Sequence, residues 1–142
     1  MTVAAILADK GRDVLTIAAA NSLGDAVAIL AKRRVGALVV VEDGDRIVGI
    51  VSERDIVRAI AGGAAALDQP VSSVMTKNVM TCSDGETIDS VMSRMTKGRF
   101  RHLPVAENGR LTGIISIGDV VKARIEQVER EAEEMRAYIA TA

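Results

Sequence analysis

One stretch of this chain occurs twice. Gly49-Ile50-Val51-Ser52-Glu53-Arg54-Asp55-Ile56-Val57 returns as Gly113-Ile114-Ile115-Ser116-Ile117-Gly118-Asp119-Val120-Val121. Repetition constrains the fold more than any other feature, because each copy must build the same supersecondary unit and the units must bury their apolar faces on one another. In both copies a glycine precedes apolar strand residues, then a serine, then an aspartate three residues on. The residues after each aspartate open a helical pattern, so Ser and Asp fall where a strand hands over to a helix N-terminus. Free N–H groups and the positive end of the helix dipole gather there, which suits a polar or anionic ligand.

The repetition extends through most of the chain. Val14-Leu15-Thr16-Ile17 matches Val79-Met80-Thr81-Cys82, Ser22-Leu23 matches Thr87-Ile88, and Leu38-Val39-Val40 matches Leu103-Pro104-Val105. The spacing between copies shortens by one residue after the turns at Gly44 and Gly109, where length variation is tolerated. Each copy predicts a short strand (Val14–Ile17, Val79–Cys82), a helix capped by Ser22 or Thr87, two strands joined by a Gly turn, and a second helix. Leu23, Ala26, Val27, Leu30 and Ala31 share one helical face, as do Ile88, Val91, Met92 and Met95. The lead-ins Val3-x-x-Ile6-Leu7 and Val71-x-x-Val74-Met75 each predict an amphipathic helical turn. The expectation is an α+β chain of two β-α-β-β-α units: residues 1–65, residues 66–123, and a C-terminal amphipathic helix over residues 124–142. Neither unit, at about 60 residues, has a comfortable core alone, so the two are expected to pack as one pseudo-two-fold body.

Charge and composition exclude several classes. With 18 basic and 19 acidic residues the formal charge is −1, which gives no bulk field for nucleic acid or anionic lipid. One Phe, one Tyr and no Trp offer few stacking platforms for single strands. Cys82 is the single cysteine and His102 the single histidine, without a local nucleophile–base pattern, a metal-ligand spacing or a phosphate-loop fingerprint. Cys82 aligns with Ile17 and reads as an apolar strand position. No catalytic residue, metal or catalytic cofactor is expected. Without an apolar run near the ~20 residues of a membrane span or a leader-like start, the chain reads as soluble and cytoplasmic.

These repeats, with Val35-Gly36-Ala37-Leu38-Val39-Val40, Arg101-His102-Leu103-Pro104-Val105 and the two Gly-h-h-Ser-x-x-Asp endings (h apolar), resemble a tandem pair of CBS domains, named for cystathionine beta-synthase. The resemblance implies an adenosine-type ligand (AMP, ADP, ATP, S-adenosylmethionine or NAD(H)) in clefts between the repeats. It implies that each motif aspartate holds ribose hydroxyls and that the serine before it contacts ribose or phosphate. Carried over by position, one cleft comprises Asp55 and Ser52 with Met80, Thr81, Phe100, Arg101 and His102. The other comprises Asp119 and Ser116 with Leu15, Thr16, Val35, Gly36 and Ala37. Ser-x-x-Asp is also a capping-box pattern, and both readings can hold for one serine.

The two clefts differ in charge. Arg94, Lys97, Arg99, Arg101 and His102 follow one another without an acid, whereas Gly36 and Ala37 stand at the matching strand start of the first repeat. Arg94, Lys97 and Arg99 read mostly as cations favoured at a helix C-terminus, and Arg101 and His102 as ligand contacts. The Asp55 cleft is therefore the expected phosphate site, and the Asp119 cleft the weaker or empty one. Past Val121, residues Ile125, Val128, Ala132, Met135 and Ile139 form a seam with charged flanks. CBS pairs commonly dimerise through the helices after the aspartates, which makes Ile56, Val57, Ile60, Val120, Val121 and Val128 the interface candidates. The function expected is a homodimeric regulatory module for an adenine nucleotide, acting on an unknown protein. The alternatives are a ligand-free assembly module and, less favoured by composition, a nucleic-acid binder through Lys32–Arg34 and Arg94–Arg101.

Overall fold

Two β-hairpins carry the sheet, and turn chemistry sets both. The computed structural model describes residues 1–141. Strands β2 (Ala37–Glu42) and β3 (Arg46–Ser52) pair antiparallel, as do β4 (His102–Glu107) and β5 (Arg110–Ser116). The turns place Asp43 and Gly44, and again Asn108 and Gly109, at positive φ, the geometry that fits a hairpin to the twist of its strands. Each hairpin also carries a bulge at the matching place, after Val40 in one and after Val105 in the other. The two join where Arg46 of β3 pairs with Arg110 of β5, giving the order β1-β2-β3-β5-β4 with β1 (Thr16–Ala18) parallel to β2.

The expected strand over Val79–Cys82 does not form. Only Cys82 bridges to Val105, its amide donating to the Pro104 carbonyl at 3.0 Å and its carbonyl accepting from the Ala106 amide at 2.9 Å. The reason is Pro104. In the first repeat the Val39 amide donates to the Leu15 carbonyl at 3.3 Å, and Pro104, which occupies the matching position, has no N–H to give. The segment before Cys82 is thus left out of the ladder.

Helices α2 (Leu23–Arg33) and α4 (Ile88–Gly98) start on Ser22 and Thr87, whose hydroxyls accept from the amides of Asp25 and Ser90. They end on Arg34 and Arg99, both left-handed. Helix α3 (Glu53–Ile60) follows β3, and α5 (Ile117–Thr141) follows β5 as one unbroken helix of 25 residues, with no break where the repeat stops. The stretch expected to separate the repeats winds into two 3₁₀ turns, Ala64–Asp68 and Val71–Ser73. No helix among the described residues is long and apolar enough to cross a membrane.

The lead-ins change places. Helix α1 (Val3–Lys10) packs on the second repeat: Val3, Ile6 and Leu7 sit in one core with Cys82, Ile88, Val91, Met95, Leu103, Val105, Ile115 and Val120. Val71, from the second lead-in, sits in the other core with Ile17, Leu23, Leu38, Val40, Val51 and Ile56. Backbone bonds tie down both exchanges, from the Val3 amide to Glu86 at 2.9 Å and from the Val71 amide to Asn21 at 2.7 Å. Gly113 makes room for the exchange, since a Cβ there would stand 3.0 Å from both Leu7 methyls. Neither core is complete within one repeat. Cys82 is buried and its thiol is pushed up to about 12, by burial first and then by Glu86, so it serves as an apolar core group.

Candidate functional site

Each Ser-x-x-Asp closes a complete capping box. At the β3–α3 junction the Ser52 amide donates to Asp55 Oδ2 at 2.9 Å and the Asp55 amide donates to Ser52 Oγ at 3.3 Å. At the β5–α5 junction the Ser116 amide donates to Asp119 Oδ2 at 2.8 Å, and the Asp119 amide returns to Ser116 Oγ at 3.2 Å. Capping occupies one carboxylate oxygen at each motif. The other oxygen of Asp55 accepts from the Thr76 hydroxyl at 3.5 Å and from no other group among the described residues.

A cavity of about 750 Å³ lies over Asp55 and is built from both repeats. Ser52, Asp55, Met80, Phe100, Arg101 and His102, expected together from the sequence, all line it. Thr81 is not among the lining residues; its carbonyl accepts from Arg94 Nη2 at 2.6 Å. Met80 reaches the cavity because the Pro104 gap in the ladder frees Asn78, Val79 and Met80 from the sheet. Phe100 reaches it because Gly98 has no side chain: a Cβ at Gly98 would collide with the Phe100 ring.

Gly36 and Ala37, expected beside Asp119, line the Asp55 cavity. The matching strand starts of the two repeats meet here, with the His102 ring against Gly36, where a Cβ would stand 3.3 Å from Cε1. Leu15 and Val35 pack against the first-repeat core, and Thr16 is held in β1. At the second cleft Asp119 is covered by Lys10, whose Nζ lies 2.7 Å from Oδ2. Burial works to raise the Asp119 carboxyl, but Lys10 and the Ser116 amide outweigh it and hold the group below the ordinary aspartate value.

The charge around the Asp55 cavity exceeds what the sequence suggested. Arg54 and Arg58 of α3 face it together with Arg99 and Arg101 from the other repeat. None of the four pairs with a carboxylate among the described residues. Arg54 and Arg58 are i and i+4 on one helix face, a signal that was readable beside the Ser-x-x-Asp motif. Their counterparts in the second copy are Gly118 and Lys122. Arg94, by contrast, is bound to Glu86 at 2.9 Å, so within the basic run it does structural work.

Burial lowers the His102 pKa below its ordinary value, against the opposing pull of Asp119 and Glu53. The imidazole is therefore neutral at pH 7. Because the unfolded chain binds this proton more readily, stability is full above the unfolded value near 6.5 and falls as pH drops through the lower folded value. Urea midpoints measured from pH 7 to 5 are expected to decline for the native chain, and to decline less for His102→Gln.

A family model described as "CBS domain" matches residues 7–62 and 71–126. Among solved structures, a CBS-domain containing protein from Agrobacterium tumefaciens superposes with a TM-score of 0.82 at 54% identity, covering 87% of this chain and 92% of that one. The CBS domain pair of protein MJ0100, in complex with 5'-methylthioadenosine and S-adenosyl-L-methionine, gives 0.77 at 28% identity over 89% and 98% of the two chains. CBSX2 in complex with AMP gives 0.72 at 25% identity over 80% and 89%. A CBS domain-containing protein of Arabidopsis thaliana, CBSCBSPB1, is 35% identical over 89% of this chain, which spans only 23% of that protein's length.

Proposed function

Because the chain belongs to the CBS domain family, with two copies filling most of it, we propose that it is a regulatory module whose Asp55 cleft binds an adenine nucleotide. One observation carries the reading: a carboxylate lining an inter-repeat cavity, beside four arginines that lack acidic partners among the described residues. A carboxylate accepts from two adjacent ribose hydroxyls, and guanidinium groups pair with phosphate in a fork geometry. Ser52 and the α3 N-terminus add donors, while Met80 and Phe100 offer apolar surface to the base. Similar CBS pairs hold AMP, 5'-methylthioadenosine and S-adenosylmethionine; the arginines here favour the ligands with phosphate. In this reading the Ser52 hydroxyl, which donates to Asp55 Oδ2 at 3.1 Å, serves the cap and the ligand, and the role is binding rather than catalysis.

A ligand contacting both repeats favours whichever arrangement of them it binds more tightly, by its difference in affinity for the two. That change is the signal, passed to another protein in the cytoplasm. Thermal unfolding with AMP, ADP, ATP, NAD(H) and S-adenosylmethionine tests the reading, and an adenine nucleotide with phosphate is expected to give the largest shift.

The working unit in this reading is a homodimer. Ile56 and Val120, interface candidates from the sequence, are buried in the cores and unavailable. Val57, Ile60, Val121 and Val128 are exposed, and Ile125, Met135 and Ile139 continue the same apolar seam along α5. Light scattering at micromolar concentration is expected to give twice the 15.0 kDa chain mass. A monomer mass throughout would remove the dimer and leave the nucleotide site untouched.

A further inference from the structure

The two motif aspartates sit at matching strand edges with different neighbours. On β3 the outer edge at Ile50 is paired with Thr76, through amide–carbonyl bonds of 3.0 and 2.8 Å, and the Thr76 side chain leaves only a hydroxyl near Asp55. On β5 the matching residue is Ile114, and its carbonyl accepts from Lys10 Nζ at 3.0 Å. The same ammonium donates at 2.7 Å to Asp119 Oδ2, the oxygen that also accepts from the Ser116 amide. Lys10 is the last residue of α1, the lead-in packed onto the second repeat, so the exchange of lead-ins delivers a cation to one motif and a hydroxyl to the other.

We infer that Lys10 is a built-in occupant of the second cleft and selects which aspartate takes a nucleoside. The inference rests on the reading of Asp55 and Asp119 as ribose-diol acceptors. An ammonium bound to a carboxylate and a backbone carbonyl neutralises the charge that would draw ribose hydroxyls and competes with them for the same carboxylate. A diol that takes both oxygens of Asp119 must compete with Lys10 at Oδ2, and no cation holds Asp55 among the described residues. The chain therefore takes one nucleotide, at Asp55, as long as the end of α1 stays in place.

Calorimetric titration with AMP tests this on the full chain. The native protein is expected to bind one AMP per chain and Lys10→Met two, the added site being lost again in Lys10→Met with Asp119→Ala. Lys10→Arg, which keeps the charge, is expected to remain at one. Should Lys10→Met lose its fold, Lys10→Gln, which keeps a donor for the Ile114 carbonyl, is measured in its place. Two AMP per native chain, or a single site in the folded, uncharged variants, overturns the role of Lys10 while leaving the Asp55 site standing. If the native chain takes none but Lys10→Met takes one that Asp119→Ala removes, the Asp55 reading fails and the Lys10 assignment holds. No binding to either protein overturns both.

Discussion

Asp55→Ala is expected to remove most of the thermal stabilisation of this protein by an adenine nucleotide. Two ribose hydroxyls donating to a carboxylate are together worth about 3 kcal/mol, roughly a hundredfold in Kd. At a nucleotide concentration one hundred times the native Kd, the native chain gains about 2.7 kcal/mol, whereas a variant weakened a hundredfold gains about 0.4 kcal/mol. The substitution also removes the back-bond to the Ser52 amide and a negative charge from the first turn of α3, at about 1 kcal/mol in the absence of ligand. Asp25→Ala separates the two effects, because it removes the matching back-bond and first-turn charge from α2 and leaves the cavity untouched. The quantity to compare is the ligand-induced shift in Tm for each variant, not Tm itself. A shift that survives Asp55→Ala and disappears in Asp119→Ala would move the site to the other cleft. No shift for any nucleotide, in a folded dimer, would favour an assembly module working through α5.

Leu7→Ala should unfold the second repeat more than the first, although Leu7 belongs to the first along the chain. Leu7 is 1% exposed and belongs to the core that contains Leu103, Val105 and Ile115. Truncating a buried leucine costs about 2–5 kcal/mol, a fall in Tm on the order of 10 °C for a chain of this size. Hydrogen exchange should show the loss first at β4 and β5, with β2 and β3 better protected. Val71→Ala should do the reverse, at a smaller cost for the smaller side chain. Equal loss of protection in both hairpins for both variants would mean that the cores open as one unit, and the exchange of lead-ins would then carry no local stability.

Much of the site is legible because its signals are local. Ser52 and Asp55 form a capping box from their spacing alone, and a repeated motif at a strand–helix junction marks a ligand position before any contact is known. Arg54 and Arg58 are also a local signal, readable from their i, i+4 spacing on α3. The missing strand at Val79–Cys82 is a different case. Pro104 is visible in the sequence, but its effect depends on which carbonyl its amide would have met, and that follows only from the pairing of β4 with the segment before it. The same holds for Gly98, whose importance lies in the Phe100 ring that covers it.

By itself, then, the sequence determined the repeated unit, its hairpins and helix caps, and the place of the two aspartates, because turn geometry, helix periodicity and capping act over a few residues. Only the tertiary structure decided which lead-in completes which core, which arginines face the cavity, and that Lys10 reaches Asp119 across more than a hundred residues of chain. Such contacts are chosen by the packing of whole elements, where α1 finds its apolar partners on the second repeat and its final lysine follows. Nothing in the neighbourhood of Lys10 along the chain distinguishes it from a cation at an ordinary helix end.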